Sequence, residues 1–139
     1  MGYEEKCYTQ YNEVYPPPAP VPSVILKLEV AYSLWHTYII HFPKVHRYSL
    51  GTKIDTLLCE VIQYASSALF VPIEQKALHI QKSLQSLDTA KILLRVAEHA
   101  HIMETKQYIA LTDKLVEIGK MLGGWHNQVI SQKENSRRV

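Results

Sequence analysis

The chain has 139 residues, of which 47% are hydrophobic and 20% charged, with a formal net charge of +2. That is enough for one globular domain with a real core, and it permits an acidic partner without demanding one. Two cysteines are too few for a secreted disulfide scaffold, and five glycines with apolar runs at helical spacing predict an all-α fold.

Cys7 lies in a polar stretch, whereas Cys59 sits inside an apolar helical pattern that predicts a buried, inert thiol. A reducing, cytoplasmic setting is expected. The opening Met-Gly-Tyr-Glu-Glu-Lys has neither the apolar core of a signal peptide nor a myristoylation pattern. The uncharged run from Val30 to Ile40 is too short to span a bilayer, so no membrane partner is expected.

Residues 1–22 read as a Pro-rich tail. Tyr3, Tyr8, Tyr11 and Tyr15 are scattered among polar residues, and Pro16 to Pro22 then imposes polyproline II geometry. Such a segment is either a solvated lead-in or a tethered recognition peptide of the kind that docks on aromatic grooves.

A four-helix bundle is expected over residues 23–131. Ser23 is placed to cap a first helix over about 24–41, with Val24, Leu28, Ala31, Trp35, Tyr38 and Phe42 on its main stripe. Leu26, Val30 and Leu34 lie on a further side, so this helix is apolar around its circumference and must be central or covered by another subunit. Pro43 sets a break at Phe42, and Ser49 is placed to cap a second helix over about 50–69. Pro72 suits the first turn of a third helix, over about 72–101, whose register residues are Ala77, Ile80, Leu84, Leu87 and Leu94. The fourth helix, over about 105–130, carries Tyr108, Leu111, Leu115, Ile118, Leu122 and Trp125 on one buried stripe. A second stripe of smaller residues runs beside it through Ile109, Thr112, Val116, Gly119 and Gly123, and predicts a second set of close neighbours. Residues 132–139 are polar and are expected to fray. Short connections make the up-down-up-down antiparallel arrangement the default.

Catalytic signals are weak. A two-metal carboxylate bundle needs a Glu-x-x-His pair on each of two helices, which the sequence does not supply. His99 and His101 are two apart and His36 and His41 five apart, neither spacing suiting one metal ion. A phosphate-cradling glycine loop and a serine elbow are both missing. No cofactor is expected.

Basic residues are the remaining signal. Lys91 and Arg95 share a face of the third helix, Lys76 lies around the same side, and Lys82 points roughly opposite. Lys44 and Arg47 lie in the first connection, with Lys53 a turn into the second helix. These side chains could neutralise phosphates and give salt-sensitive nucleic-acid binding. Equally, Asp88 and Glu98 stand three residues from Lys91 and Arg95 and could make them solvated ion pairs.

Two blocks carry a family resemblance. Phe42-Pro-Lys-Val-His-Arg-Tyr-Ser-Leu-Gly51 and Glu117-Ile-Gly-Lys-Met-Leu-Gly-Gly-Trp125 resemble the accessory variability determinant proteins of diversity-generating retroelements. These belong to a wider four-helix-bundle family that includes proteins encoded in ribosomal-RNA intervening sequences. The resemblance spans about residues 24–126. It implies a barrel-like homopentamer without enzymatic activity, which binds the retroelement's reverse transcriptase and its template RNA, or an RNA/DNA hybrid, through a basic surface. Oligomer or helix packing roles are expected for Trp35, Gly51, Gly119, Gly123 and Trp125. Residues 1–22 match no part of that family pattern. Two other readings stay open: an intervening-sequence-type bundle with another RNA or protein partner, and a small enzyme or ligand carrier built on a histidine-rich interior.

Overall fold

The computed structural model describes residues 22–138, so the expected tail lies outside the described residues except for Pro22. The described residues form α1 (Ser23–Ile39), the short α2 (Lys44–His46), a π-helical turn over Arg47–Gly51, α3 (Thr52–Ser67), α4 (Ile73–His99) and α5 (Thr105–Arg138). No strand occurs among them. Since α2, the π turn and α3 run on without a break, the molecule is a bundle of four long helices, as expected. α4 lies between α3 and α5, and α1 packs on α5 and more lightly on α3.

Helix entry differs from expectation. Prolines, not serines, stand at the three N-caps: Pro22, Pro43 and Pro72 have φ of −57°, −53° and −59° and extended ψ. A proline ring presets that geometry, and each carbonyl accepts the first amides of its helix. Ser23 is therefore already helical and makes no cap hydrogen bond. Ser49 lies within the π turn, where its hydroxyl donates to the Val45 carbonyl at 3.1 Å. The second helix consequently starts at Lys44 rather than Leu50. The expected break at Phe42 is present, directly before Pro43.

The π turn holds the first corner together. Phe42 is buried with its ring edge-on to Trp35, the centroids 5.5 Å apart. Arg47 Nη2 donates to the Ile40 carbonyl at 2.8 Å and the Phe42 carbonyl at 3.2 Å, satisfying groups the end of α1 leaves orphaned. Gly51 is buried where a Cβ would stand 3.3 Å from both the His46 carbonyl oxygen and Ile39 Cδ1, so only glycine fits without a shift. Trp35 has no solvent exposure, and its Nε1 donates to Asp55 Oδ1 at 3.1 Å. The Tyr32 hydroxyl donates to the same oxygen at 2.9 Å.

Between α3 and α4 the seam is built from small residues. Ser83, Ser86, Ala90 and Ala97 are buried there, beside Ile80, Leu87 and Leu94. The Ser83 hydroxyl donates to the Val61 carbonyl at 2.8 Å and that of Ser86 to Glu60 Oε2 at 3.1 Å, which removes the cost of burying them. α4 ends with His101 at φ 60°, while the Ile102 amide bonds back to the Ala97 carbonyl and that of His101 to Glu98, a Schellman closure.

α5 meets expectation on its first face and departs from it on its second and at its end. Its first stripe is buried at Leu111, Leu115, Ile118 and Leu122, with Tyr108 and Trp125 half-buried against the core. The second stripe has few neighbours inside the chain. Ile109 and Val116 are exposed, a Cβ on Gly119 would merely touch Leu87 at 3.4 Å, and nothing stands within 4 Å of one on Gly123. The expected fraying of residues 132–139 is not seen through Arg138, because Val129 is buried, no glycine or proline follows Gly124, and Lys133 Nζ reaches the Glu74 carbonyl at 3.4 Å. Val139 lies outside the described residues.

The Asp55 hydrogen bond, then burial, push the Tyr32 hydroxyl up from 10.0 to about 12. Its native form thus holds a proton that the unfolded chain gives up near pH 10, so this contribution to stability is complete below pH 10 and is lost as pH rises toward 12. Ultraviolet titration should show one tyrosine ionising later than the rest, and Asp55→Ala should remove that late step. The same variant should cost about 2 kcal/mol in denaturant unfolding, since Trp35 Nε1 is left buried without a partner. Arg47→Ala should likewise cost about 1–3 kcal/mol by exposing the end of α1, while Lys53→Ala, on an open surface, should stay within about 0.5 kcal/mol of the parent.

Candidate nucleic-acid and polymerase interface

The seven basic residues singled out by sequence do not converge on one patch. Arg47 is engaged in closing α1. Lys76 is engaged in the same way at the other end of the bundle: its Nζ donates to the Ala68 carbonyl at 2.6 Å and the Leu69 carbonyl at 3.4 Å, capping α3 from α4. Lys82 lies on the α3 side of α4, with Nζ 5.7 Å from the Tyr64 ring centroid, a cation–π contact at the surface. Lys44 and Lys53 are exposed at the first corner.

Lys91 and Arg95 come closest to the expected site, one turn apart on α4. Lys91 is half-buried and pairs with Asp88 Oδ1 at 3.3 Å, as its spacing allowed. Arg95 is exposed and has no carboxylate within 4 Å among the described residues. Its expected partner is engaged elsewhere, because the Thr105 hydroxyl donates to Glu98 Oε1 at 2.9 Å. Arg95 sits with Ile92, Val96 and His99 around a shallow groove of about 340 Å³, and Ile92 is 63% exposed. An unpaired guanidinium beside exposed aliphatic side chains and an imidazole can contact a phosphate and a base or side-chain face together. Sequence reasoning missed Ile92 and Val96 because they lie off the register of Ile80, Leu87 and Leu94 that marks the core face of α4.

A charged residue of α5 is also engaged between helices. Glu117 Oε1 pairs across the helices with Lys27 Nζ at 3.0 Å. Both side chains are half open to water, so the pair contributes little energy and chiefly fixes the register of α1 on α5. Beside it, Leu26 and Val30 are exposed on α1, lining a groove of about 310 Å³ with Lys114 and Glu117.

The histidine-rich interior does not exist. All seven histidines are exposed or half-exposed, and among the described residues no group of three His, Cys, Asp or Glu is placed to hold a metal ion. The sequence does contain one Glu-x-x-His spacing, Glu98-His99-Ala100-His101, but it straddles the end of α4 and His101 has left the helix. A cavity of about 670 Å³ lies open at this end, lined by His41–Pro43, His101–Thr105 and Gln107. Cys59 corrects the sequence reading: it is exposed rather than buried. Local desolvation and then the Asp55 charge nevertheless push its thiol up, the opposite of what an activated nucleophile needs. No helix of the described residues is long and apolar enough to cross a membrane.

The two blocks that carried the resemblance can now be read physically. The first, Phe42 to Gly51, is the corner: a buried ring, a helix-capping guanidinium and a glycine whose added Cβ would crowd the His46 carbonyl and Ile39. The second, Glu117 to Trp125, is the part of α5 that meets α1 on one side and presents Gly119 and Gly123 on the other. No match is found among curated proteins. A sequence profile described as bAvd-like aligns with residues 25–129, from the first turn of α1 to the buried Val129 of α5, and so takes in every helix of the bundle. On that extent of match, the chain belongs to the bAvd-like family.

Proposed function

We propose that this protein is a non-enzymatic accessory subunit of a diversity-generating retroelement, a cytoplasmic homopentamer that binds the reverse transcriptase and the template RNA during mutagenic copying. The observation that carries the reading is the family membership over residues 25–129, joined to apolar stripes that the chain leaves open. Leu26 and Val30 on α1, and Ile109 and Val116 on α5, are all more than a third exposed although they continue helical registers that elsewhere form the core. Exposed aliphatic stripes flanked by an open glycine are what a second copy of the same chain would cover. Clustering also bears on RNA. Residues 24–126 hold eleven Lys and Arg against nine Asp and Glu, a net of +2 that is weak alone but reaches +10 in five copies.

Light scattering should give a mass of about 80 kDa, five times the 16.0 kDa chain; a monomer at micromolar concentration would count against the reading. Gly123→Ala separates folding from assembly. Alanine improves an isolated helix by about 1 kcal/mol and meets nothing inside the protomer. A raised melting temperature with a weakened oligomer places a partner subunit there, whereas an intact oligomer excludes that seat.

Binding of template RNA should weaken steeply with salt. Replacing Lys91 and Arg95 together by Glu should lower RNA or polymerase affinity about tenfold at low salt without changing helix content. Unchanged affinity for both would remove α4 from the interface.

A further inference from the structure

One aromatic residue of the first corner has no packing role in it. Phe42, Arg47 and Gly51 hold the corner together, whereas Tyr48, on the π turn between them, is 71% exposed. A π turn inside a run of helix often marks a place where side chains are re-aimed for function.

Two cations flank the ring. Lys44 stands one α-helical turn before Tyr48, and Lys53 stands five residues after it, the repeat of a π turn. Both lysines are exposed, and neither has a carboxylate within 4 Å among the described residues. At about 1.5 Å per residue they lie about 13 Å apart along the helix, with the ring midway.

Charge around this trio is one-sided. From Val30 to Ile54 the sequence has no Asp or Glu, yet it holds Lys44, Arg47 and Lys53 together with His41 and His46. Asp55 ends that run, and its Oδ1 is taken by the Trp35 and Tyr32 donors of α1. Glu104, exposed at the same end of the bundle, lines the cavity that His41, Phe42 and Pro43 also line, and none of Lys44, Tyr48 and Lys53 does.

An open phenol ring between two ammonium groups matches an unpaired nucleotide. Any base can stack its π face on the ring, while the phosphates on either side are neutralised by the lysines. A duplex keeps its base faces in its own stack and offers the ring only backbone. Protein partners fit less well, because protein interfaces are depleted in lysine.

We infer that the first corner is a seat for single-stranded RNA, with a base stacked on Tyr48 and the flanking phosphates on Lys44 and Lys53. This rests on the RNA-binding part of the proposed function and names the form of RNA and the residues that hold it.

Fluorescence anisotropy with a labelled oligoadenylate and a labelled RNA duplex of equal length tests the seat on the full-length protein. Tyr48→Ala should lower affinity for the single strand about tenfold, the loss of one stacked base, with the salt slope unchanged. Its affinity for the duplex should not move, and Tyr48→Phe, which keeps the ring, should bind both probes like the parent. Replacing Lys44 and Lys53 together by Gln should instead reduce the salt slope for the single strand by about 1.4, two phosphates at about 0.7 each. Circular dichroism and light-scattering mass should be those of the parent in every variant. Single-strand affinity in Tyr48→Ala equal to the parent's would overturn the inference while leaving the proposed function in place. So would an equal loss on the duplex, a smaller oligomer, or lost reverse-transcriptase binding with RNA affinity intact, since the ring would then serve the fold, a second copy or a protein. A parent that binds neither probe would remove the RNA-binding part of the proposed function together with this seat.

Discussion

One carboxylate oxygen decides how the first helix sits. Trp35 is the largest side chain in the core, and its indole N–H must find an acceptor once water is excluded. Asp55 provides it from α3, and the same oxygen receives the Tyr32 hydroxyl one turn earlier on α1. Two donors on one helix and one acceptor on another fix both the rotation and the height of α1. The indole then meets Phe42 edge-on, which places the chain reversal at Pro43 and brings Arg47 under the last carbonyls of α1. The corner motif, the buried indole and the α1–α3 contact are thus one cooperative unit, which anchors α1 on the helix it packs against more lightly.

Much of the architecture is legible in the residues themselves. The periodicity of Leu111, Leu115, Ile118 and Leu122 gives the buried face of α5, and Pro43 gives the break after Phe42. Helix starts are read less well, because Ser23 and Ser49 have the side chains of good caps while the neighbouring prolines already supply the geometry. The α3–α4 seam hides for a different reason. Ser83 and Ser86 look like surface residues until the Val61 carbonyl and Glu60 are brought opposite them, and no local pattern announces a partner more than twenty residues away. Cys59 misleads in the opposite direction: its apolar sequence neighbours point into the core, and it stands between them on the outside.

The binding surface is legible only in part, since a positive charge in sequence does not tell whether a carbonyl or a phosphate will answer it. Arg47 and Lys76 spend their donors on the ends of α1 and α3, where they hold the two corners of the bundle. Arg95 looks paired in sequence, yet Thr105 occupies Glu98 and leaves the guanidinium open. The stripes of α1 and α5 carry the clearest message. Their register continues the core pattern onto faces that the described chain covers only in part, with Leu26, Val30, Ile109 and Val116 left exposed.

The wide separation in sequence between α1 and its mate has a consequence for biosynthesis. α3, α4 and α5 follow one another through short reversals and can zip together as each emerges. α1, in contrast, leaves the ribosome first and must wait for Glu117, ninety positions after Lys27, before its register on α5 can be set. The greasiest helix of the protein is therefore the one that stays without its full complement of neighbours longest during translation, and nascent copies on one message carry it in close proximity.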